Sequence, residues 1–359
     1  MSLEKRIQIQ AEATQKIIEN KFKGIVDVSF RVGKTKLTID ALNTVTKEIN
    51  VLILAPGLPI LTSWKEEIKK WGLNDNIKVT FLWSNSLKKD NNLYHLIIAD
   101  ECHAYNKMVL AHLRKHQLRG TRILGLTGTL DQIAEFNLLN TLSISPIYQY
   151  SFEEAVADKI IADYSVTCIG LELDETEETH VIDMNRPAVS EKDAYEYWDR
   201  LYNNAVKKGK YKNLRFYMSK RKDILYTSKT KLLATLKVVD EHSRCLIFSA
   251  RQEIADKLGD AQFHSKSTKT LDKFQNEKVN KLSVISMISM GITIPKLKVA
   301  IFNQMKSVEA LALQQAARIL NLEDGQDAQI FVVYLKNTQD EVWLRDAIKG
   351  FEKTKINWI

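Results

Sequence analysis

The residues most able to do chemistry fall in two short runs. Gly33-Lys34-Thr35 lies where an apolar stretch, 25–28, passes through a short loop into a helical pattern. Such a turn offers backbone N–H groups and a helix N-terminus to phosphate oxygens. Lys34 would supply a cation to the β- and γ-phosphates, and Thr35 a hydroxyl to Mg²⁺. The full P-loop pattern starts with a Gly five residues before Gly33, and this chain has Val28 there. The second run, Asp100-Glu101-Cys102-His103, follows the apolar residues 96–99. Active sites of open α/β sheets lie beyond the strand C-termini, where this pair of carboxylates would sit. Asp100 suits the Mg²⁺ shell, and Glu101 suits the task of orienting and deprotonating a water. A helix N-terminus enriched in acids is the plainer account of the pair, and Lys34 with Thr35 weighs against it. ATP and Mg²⁺ are therefore the expected cofactors.

Positioning these groups requires strands and helices in alternation. In the first half, strands are expected at 25–28, 51–55, 79–82, 96–99 and 123–126, with helices at 35–46, 60–71 and 132–142. After Pro146 the rhythm breaks; an acidic stretch, 172–183, precedes a long basic helical segment, 190–222. Alternation resumes with strands at 245–249, 284–286, 299–302 and 329–334 and helices at 251–258, 270–275 and 309–320. Uninterrupted apolar runs of this kind belong to parallel sheets covered on both faces. Two α/β units joined by a hinge near 146–170 account for the pattern.

Composition sets outer limits. A net charge of +8 and a pI near 9.1 favour a polyanionic partner. No stretch has the roughly 20 apolar residues of a membrane helix, so no membrane partner is expected. Cys102, Cys168 and Cys245 form no CxxC pair, which excludes a zinc ribbon and points to a reducing cytoplasm, a host's if the chain is viral.

The order of these elements resembles superfamily 2 helicases and translocases, particularly Swi/Snf-like and phage-type members. Asp100-Glu101-Cys102-His103 is similar to their D-E-x-H box, and Leu126-Thr127-Gly128-Thr129 to motif III. Leu52-Ile53-Leu54-Ala55-Pro56, continued by Ser63-Trp64-Lys65-Glu66-Glu67, resembles the Swi/Snf-like segment that borders the nucleic-acid path. Gln10 falls in a segment similar to the family's adenine-reading one. Further on, Met290-Gly291-Ile292-Thr293 resembles motif V, and Gln314-Gln315-Ala316-Ala317-Arg318 resembles motif VI. The resemblance implies an α/β fold of two RecA-like lobes, each a mostly parallel sheet flanked by helices, with ATP between them. Residues 1–160 would form the first lobe and 161–359 the second. It implies ATP contacts from Gln10, Arg31, Val32, Gly33, Lys34, Thr35, Gln314 and Arg318, with Lys34, Glu101 and Arg318 catalytic. Thr35 and Asp100 would hold the metal, and His103, Thr127, Thr129, Gly291 and Thr293 would couple nucleotide state to nucleic acid.

Three departures from the family pattern matter. Arg31 and Val32 stand where small residues are common, Thr293 where an acid or Asn is usual, and Asn321 where motif VI has its second arginine. The nest works through backbone N–H groups, so only Gly33 needs close approach. Loss of the second arginine would slow hydrolysis unless Arg318 or Arg31 substitutes.

Between Tyr202 and Lys222 the chain carries Lys207, Lys208, Lys210, Lys212, Arg215, Lys220, Arg221 and Lys222, and no acid. Tyr202, Tyr211, Phe216 and Tyr217 are interleaved with them. Lys220, Arg221 and Lys222 are therefore candidate nucleic-acid contacts, against the alternative of a solvated helix packed by its aromatics, and the resemblance adds Pro56. The expected activity is ATP-driven movement or remodelling on nucleic acid, DNA rather than RNA, by a monomer or weak oligomer. Two rivals stay open: a nucleic-acid-binding module of the same fold with little turnover, and a P-loop kinase of small molecules.

Overall fold

The computed structural model describes residues 2–182, 185, 187–209, 211–263, 270–285, 294, 297–304, 327–349 and 351–359. The chain divides into two compact units, Met1–Asp163 and Tyr164–Ile359.

The first unit runs α1 (Ser2–Glu19), β1 (Gly24–Val28), α2 (Lys34–Leu42), β2 (Ile49–Ala55), α3 (Leu58–Trp71) and β3 (Ile77–Trp83). It continues with β4 (Leu96–Asp100), α4 (Lys107–Leu118), β5 (Arg122–Thr127), α5 (Gln132–Leu142), β6 (Pro146–Tyr150) and α6 (Phe152–Ala157). Six strands pair in the order β3-β2-β4-β5-β1-β6, every pair parallel. Helices cover both faces of such a sheet, so β2, β4 and β5 are apolar along their length and almost wholly buried. Leu52, Leu54, Ile97 and Ile123 pack on Val109, Leu110 and Leu113 of α4 and Leu138 of α5. Helix starts are set by side-chain caps: Asn106 for α4, Asp131 for α5, and a Ser151/Glu154 capping box for α6. The register brings Trp83 level with Ala55, Asp100 with Leu126, and Thr127 with Asp27, all at one rim of the sheet.

The second unit contains β7 (Tyr164–Leu171), α7 (Glu191–Lys207), α8 (Leu214–Thr227), α9 (Lys229–Asp240), β8 (Cys245–Ser249), α10 (Gln252–Leu258) and β9 (Ala261–Phe263). Then follow α11 (Thr270–Gln275), β10 (Lys281–Ile285), β11 (Val299–Phe302), β12 (Ala328–Leu335), α12 (Gln339–Ala347) and β13 (Ile356–Trp358). Among the described residues its sheet is also all parallel, in the order β13-β7-β12-β11-β8-β10-β9. Both units thus have the expected architecture, a parallel sheet with helices. Lys231 is buried in this unit, its ammonium 2.5 Å from Asp340 Oδ2 and 3.0 Å from Gln304 Oε1. Asp340 also accepts from Gln304 Nε2 and Leu335 N, so every charge in the cluster is hydrogen-bonded.

The segment expected to be helical, 190–222, holds two helices, the second running on to Thr227. α7 ends before Gly209, whose φ of 62° is left-handed, and α8 packs back on it through Ala194 and Tyr195 against Ile224 and Leu225. Arg221, a candidate nucleic-acid contact, turns inward. It is 5% exposed, pairs with Asp199 Oδ1 at 2.5 Å and stacks over Tyr202. Once paired and buried it is not available to a phosphate, which corrects that expectation. The aromatics of the segment likewise pack among themselves, Trp198 against Phe216 and Tyr217. Lys220 stays exposed, and Lys222 lies half-buried with its ammonium over Trp343.

Candidate phosphate site

The phosphate loop joins β1 to α2. Gly33 has φ 100° and ψ 54°, a left-handed conformation that suits glycine. A Cβ here would stand 2.7 Å from Gln10 Nε2, so the residue is fixed by close approach as well as by backbone shape. Gln10 comes from α1, and its Nε2 donates to Val32 O at 2.5 Å while Arg6 Nε donates to the same oxygen at 3.2 Å. α1 therefore clamps the loop through one carbonyl. α2 begins at Lys34 with no side-chain cap, and an uncapped helix N-terminus offers its free N–H groups to an anion. Thr35 lies on that first turn, half-buried. Arg31 sits in the loop with φ 69°.

β4 brings the carboxylates. Its last residue, Asp100, is buried; Oδ2 accepts from Trp64 Nε1 at 2.7 Å and Oδ1 from Glu101 N at 2.9 Å. Burial, and then the neighbouring Glu101, pushes the Asp100 carboxyl up to about 6. Lys34 and the two N–H donors oppose that shift. Glu101 has φ 47°, and this turn aims its side chain back at Lys34, with Oε1 3.9 Å from Nζ. Glu101 Oε2 is buried without a hydrogen bond, 3.5 Å from His103 Nδ1. An orphaned carboxylate oxygen beside a lysine and an uncapped helix suits a water or a cation as its missing partner.

β5 closes the site. His103 Nδ1 lies 2.9 Å from Thr127 Oγ1, which also accepts from Thr129 N at 3.2 Å. Burial lowers the His103 pKa, opposed by Glu101, so the neutral ring is favoured. A Cβ at Gly128 would lie 2.9 Å from both Lys34 Nζ and Val28 O. Glycine at this position is what lets the lysine lie against the end of β5. Asp27, on β1, is raised by burial and held down by Lys34.

The structure thus gathers Gln10, Val32, Gly33, Lys34, Asp100, Glu101, His103, Thr127 and Thr129 at one rim, with Arg31 and Thr35 adjoining in the chain. Pro56 ends up two strands from the phosphate loop's partner β5, its carbonyl accepting from Trp83 Nε1 at 3.0 Å. Gly291, Thr293, Gln314, Arg318 and Asn321 lie outside the described residues. Sequence reasoning did not find the inward role of Trp64. Its spacing with Ile60 and Leu61 marked a buried face of α3, but its carboxylate partner comes from a strand thirty-six residues away in the chain. The contact of Arg6 with Val32 O and the place of Gly128 under Lys34 were not found for the same reason.

Known proteins similar to the chain include a translocase by sequence and a helicase domain by fold. The family described as type III restriction enzyme, res subunit, matches residues 4–132. The DNA 3'-5' translocase XPB2 of Sulfurisphaera tokodaii is 21% identical over 92% of this chain and 82% of its own. Dbp5 of S. cerevisiae, bound to RNA and ADP BeF3, superposes with a TM-score of 0.62 at 12% identity, covering 98% of this chain and 89% of that one. The ATP-dependent Type ISP restriction-modification enzyme LlaBIII, bound to DNA, gives a TM-score of 0.63 at 14% identity. That match covers 98% of this chain and 31% of the other.

Proposed function

We propose that the chain is a DNA translocase or helicase that draws on Mg²⁺ and ATP at the rim described above. The observation that carries the reading is the meeting of Lys34, Asp100 and Glu101 beside an uncapped helix N-terminus. In this reading the loop N–H groups and Lys34 hold the β- and γ-phosphates, and Thr35 with Asp100 holds the metal. Mg²⁺, when bound, neutralises charge building on the phosphate oxygens. Glu101 orients a water toward the γ-phosphorus and accepts its proton as the bond to the β-bridging oxygen breaks, giving ADP and phosphate. Trp64 N–H and Glu101 N–H fix the Asp100 carboxylate, and the His103–Thr127–Thr129 chain would relay the state of the site along β5. Arg318 and Gln314 would complete the ATP contacts, with Gly291 and Thr293 in coupling.

DNA is favoured over RNA because the matched translocase is named for DNA and LlaBIII was captured on it. The net charge of +8 supports a phosphate-backbone partner. Free, buried Cys102, Cys168 and Cys245 fit a reducing cytoplasm. The test is phosphate release from ATP with no nucleic acid, single-stranded DNA, duplex DNA and RNA, using Lys34→Ala as the dead control. Stimulation by DNA above RNA is expected. Turnover that no nucleic acid alters overturns the translocase reading, and an active Lys34→Ala protein overturns the phosphate site.

A further inference from the structure

The chain has six tryptophans, and the surroundings of one differ from the rest. Trp64 is buried on Asp100, Trp71 lies under Lys36 and Lys70, and Trp198 sits within an aromatic cluster. Trp343 meets Tyr226 and Lys222, and Trp358 meets Tyr334 and Arg345. Trp83 is 40% exposed, and among the described residues no ring or cation covers its face. Its N–H edge is tied to Pro56 O at 3.0 Å, so the indole is held by one edge. An exposed tryptophan fixed in this way has already lost most of the side-chain freedom that binding would otherwise cost.

Its position and surroundings add charge and direction. Trp83 ends β3, level with Ala55 of β2, on the rim that carries Asp100 on the next strand but one. Neighbouring strands are about 4.8 Å apart, so β3 lies roughly 10 Å from β4 along that rim. Phe81 shares a face of β3 with Trp83, two residues apart, and the exposed Lys65 places its ammonium 5.2 Å from the Phe81 ring. The turn that follows, Ser84–Lys89, holds no acid and exposes Lys88 and Lys89. A partly exposed indole with lysines on the adjoining turn suits a nucleobase with its phosphates. Duplex bases present no open face, so the fit is to a single strand.

We propose that Trp83 is a stacking platform for one base of a single strand, with Lys88 and Lys89 on the adjoining phosphates. The proposal rests on the nucleic-acid reading above. Stacking of a base on an aromatic side chain changes affinity by about 5- to 150-fold, the equivalent of about 1–3 kcal/mol.

The experiment measures binding of a labelled 12-nucleotide strand in which one abasic site is walked from end to end. In the parent protein one position should cost about tenfold when its base is removed. In Trp83→Ala that position should become neutral, and overall affinity for the intact strand should fall about tenfold. The slope of affinity against salt should be kept, because stacking releases no counterions. Trp83→Phe should retain part of the position effect, and Trp83→Leu none. The readout is a ratio of two affinities on one preparation, so partial unfolding of a variant cannot imitate it. A position effect that survives Trp83→Ala, or one that Leu supports as well as Phe, overturns the platform. So does the absence of any sensitive position in a parent that binds the strand. A parent that binds no nucleic acid overturns the reading of function itself.

Discussion

Trp64→Phe tests whether α3 holds the Asp100 carboxylate in place. The indole N–H donates 2.7 Å to a buried carboxylate oxygen, and Trp64 itself is 1% exposed. A hydrogen bond to a charged group contributes about 1.5–3 kcal/mol, and trimming indole to phenyl leaves a small gap worth about 1 kcal/mol. The variant should therefore lose about 3 kcal/mol of unfolding free energy at pH 8, where a carboxyl pushed up to about 6 is ionised. In an Asp100→Asn background the indole meets a neutral acceptor, whose bond is worth only about 0.5–1.5 kcal/mol. A double-mutant cycle should then give a coupling of about 1.5 kcal/mol at pH 8. At pH 5 the Asp100 carboxyl is protonated in the fold, so the coupling should shrink. Urea unfolding followed by far-UV circular dichroism supplies all four corners. A coupling under about 0.5 kcal/mol at pH 8, or one that is equal at both pH values, refutes the argument.

Glu101→Gln should keep ATP binding, read by filter retention, while phosphate release falls at least about a hundredfold, since the amide cannot accept the proton. Lys231→Met leaves Asp340 buried without its cation and should cost about 3–5 kcal/mol in urea unfolding. Adding Asp340→Leu should recover most of that loss; if it does not, the pair is not what holds this corner of the second unit. Burial lowers the His116 pKa from its ordinary 6.5. The unfolded chain then binds the proton more readily, so stability drops as pH falls below about 6.5. His116→Phe should flatten that limb of the stability curve, and a limb of unchanged steepness would place its origin in another group.

The parts of the fold that could be read in the sequence are those where burial on both faces forces an apolar run. Expectations at 51–55, 96–99, 123–126 and 245–249 match strands at those positions. Of the edges, β3 was expected at 79–82, while other edge and hinge elements escaped because one side of them is not so constrained. β6, Pro-Ile-Tyr-Gln-Tyr, is an edge strand with half-exposed residues, and β13 and β9 are three-residue edges. β7 was hidden by polar alternation in Tyr164–Leu171, within and beyond the expected hinge, yet it is an interior strand of the second sheet. At the site, Gly33, Lys34, Asp100, Glu101 and His103 were readable because their spacing from strand ends is local. Contacts set by packing between elements, such as Gln10 on Val32 O, Trp64 on Asp100 and Gly128 under Lys34, leave no local pattern. Arg221 shows the converse: a basic run identifies cations, and only tertiary structure says which one turns inward to Asp199.

The strand order of the first unit also bears on how the protein is made. β1, the first strand of this sequence to be synthesised, pairs among the described residues with β5 and β6, which begin at Arg122 and Pro146. At about 5–20 residues per second, its nearest partner is synthesised roughly 5–20 s later. Until then an apolar strand and the loop behind it have no sheet to join. β2, β3 and β4 can pair with one another in the meantime, so the sheet should grow from that side and admit β1 only after β5, with β6 joining beyond it. The phosphate site would therefore be assembled only when the unit is nearly whole. A nascent chain halted before Arg122 should expose Ile25 and Val26 to proteolysis or chaperone capture, while one halted beyond Tyr150 and clear of the exit tunnel should protect them.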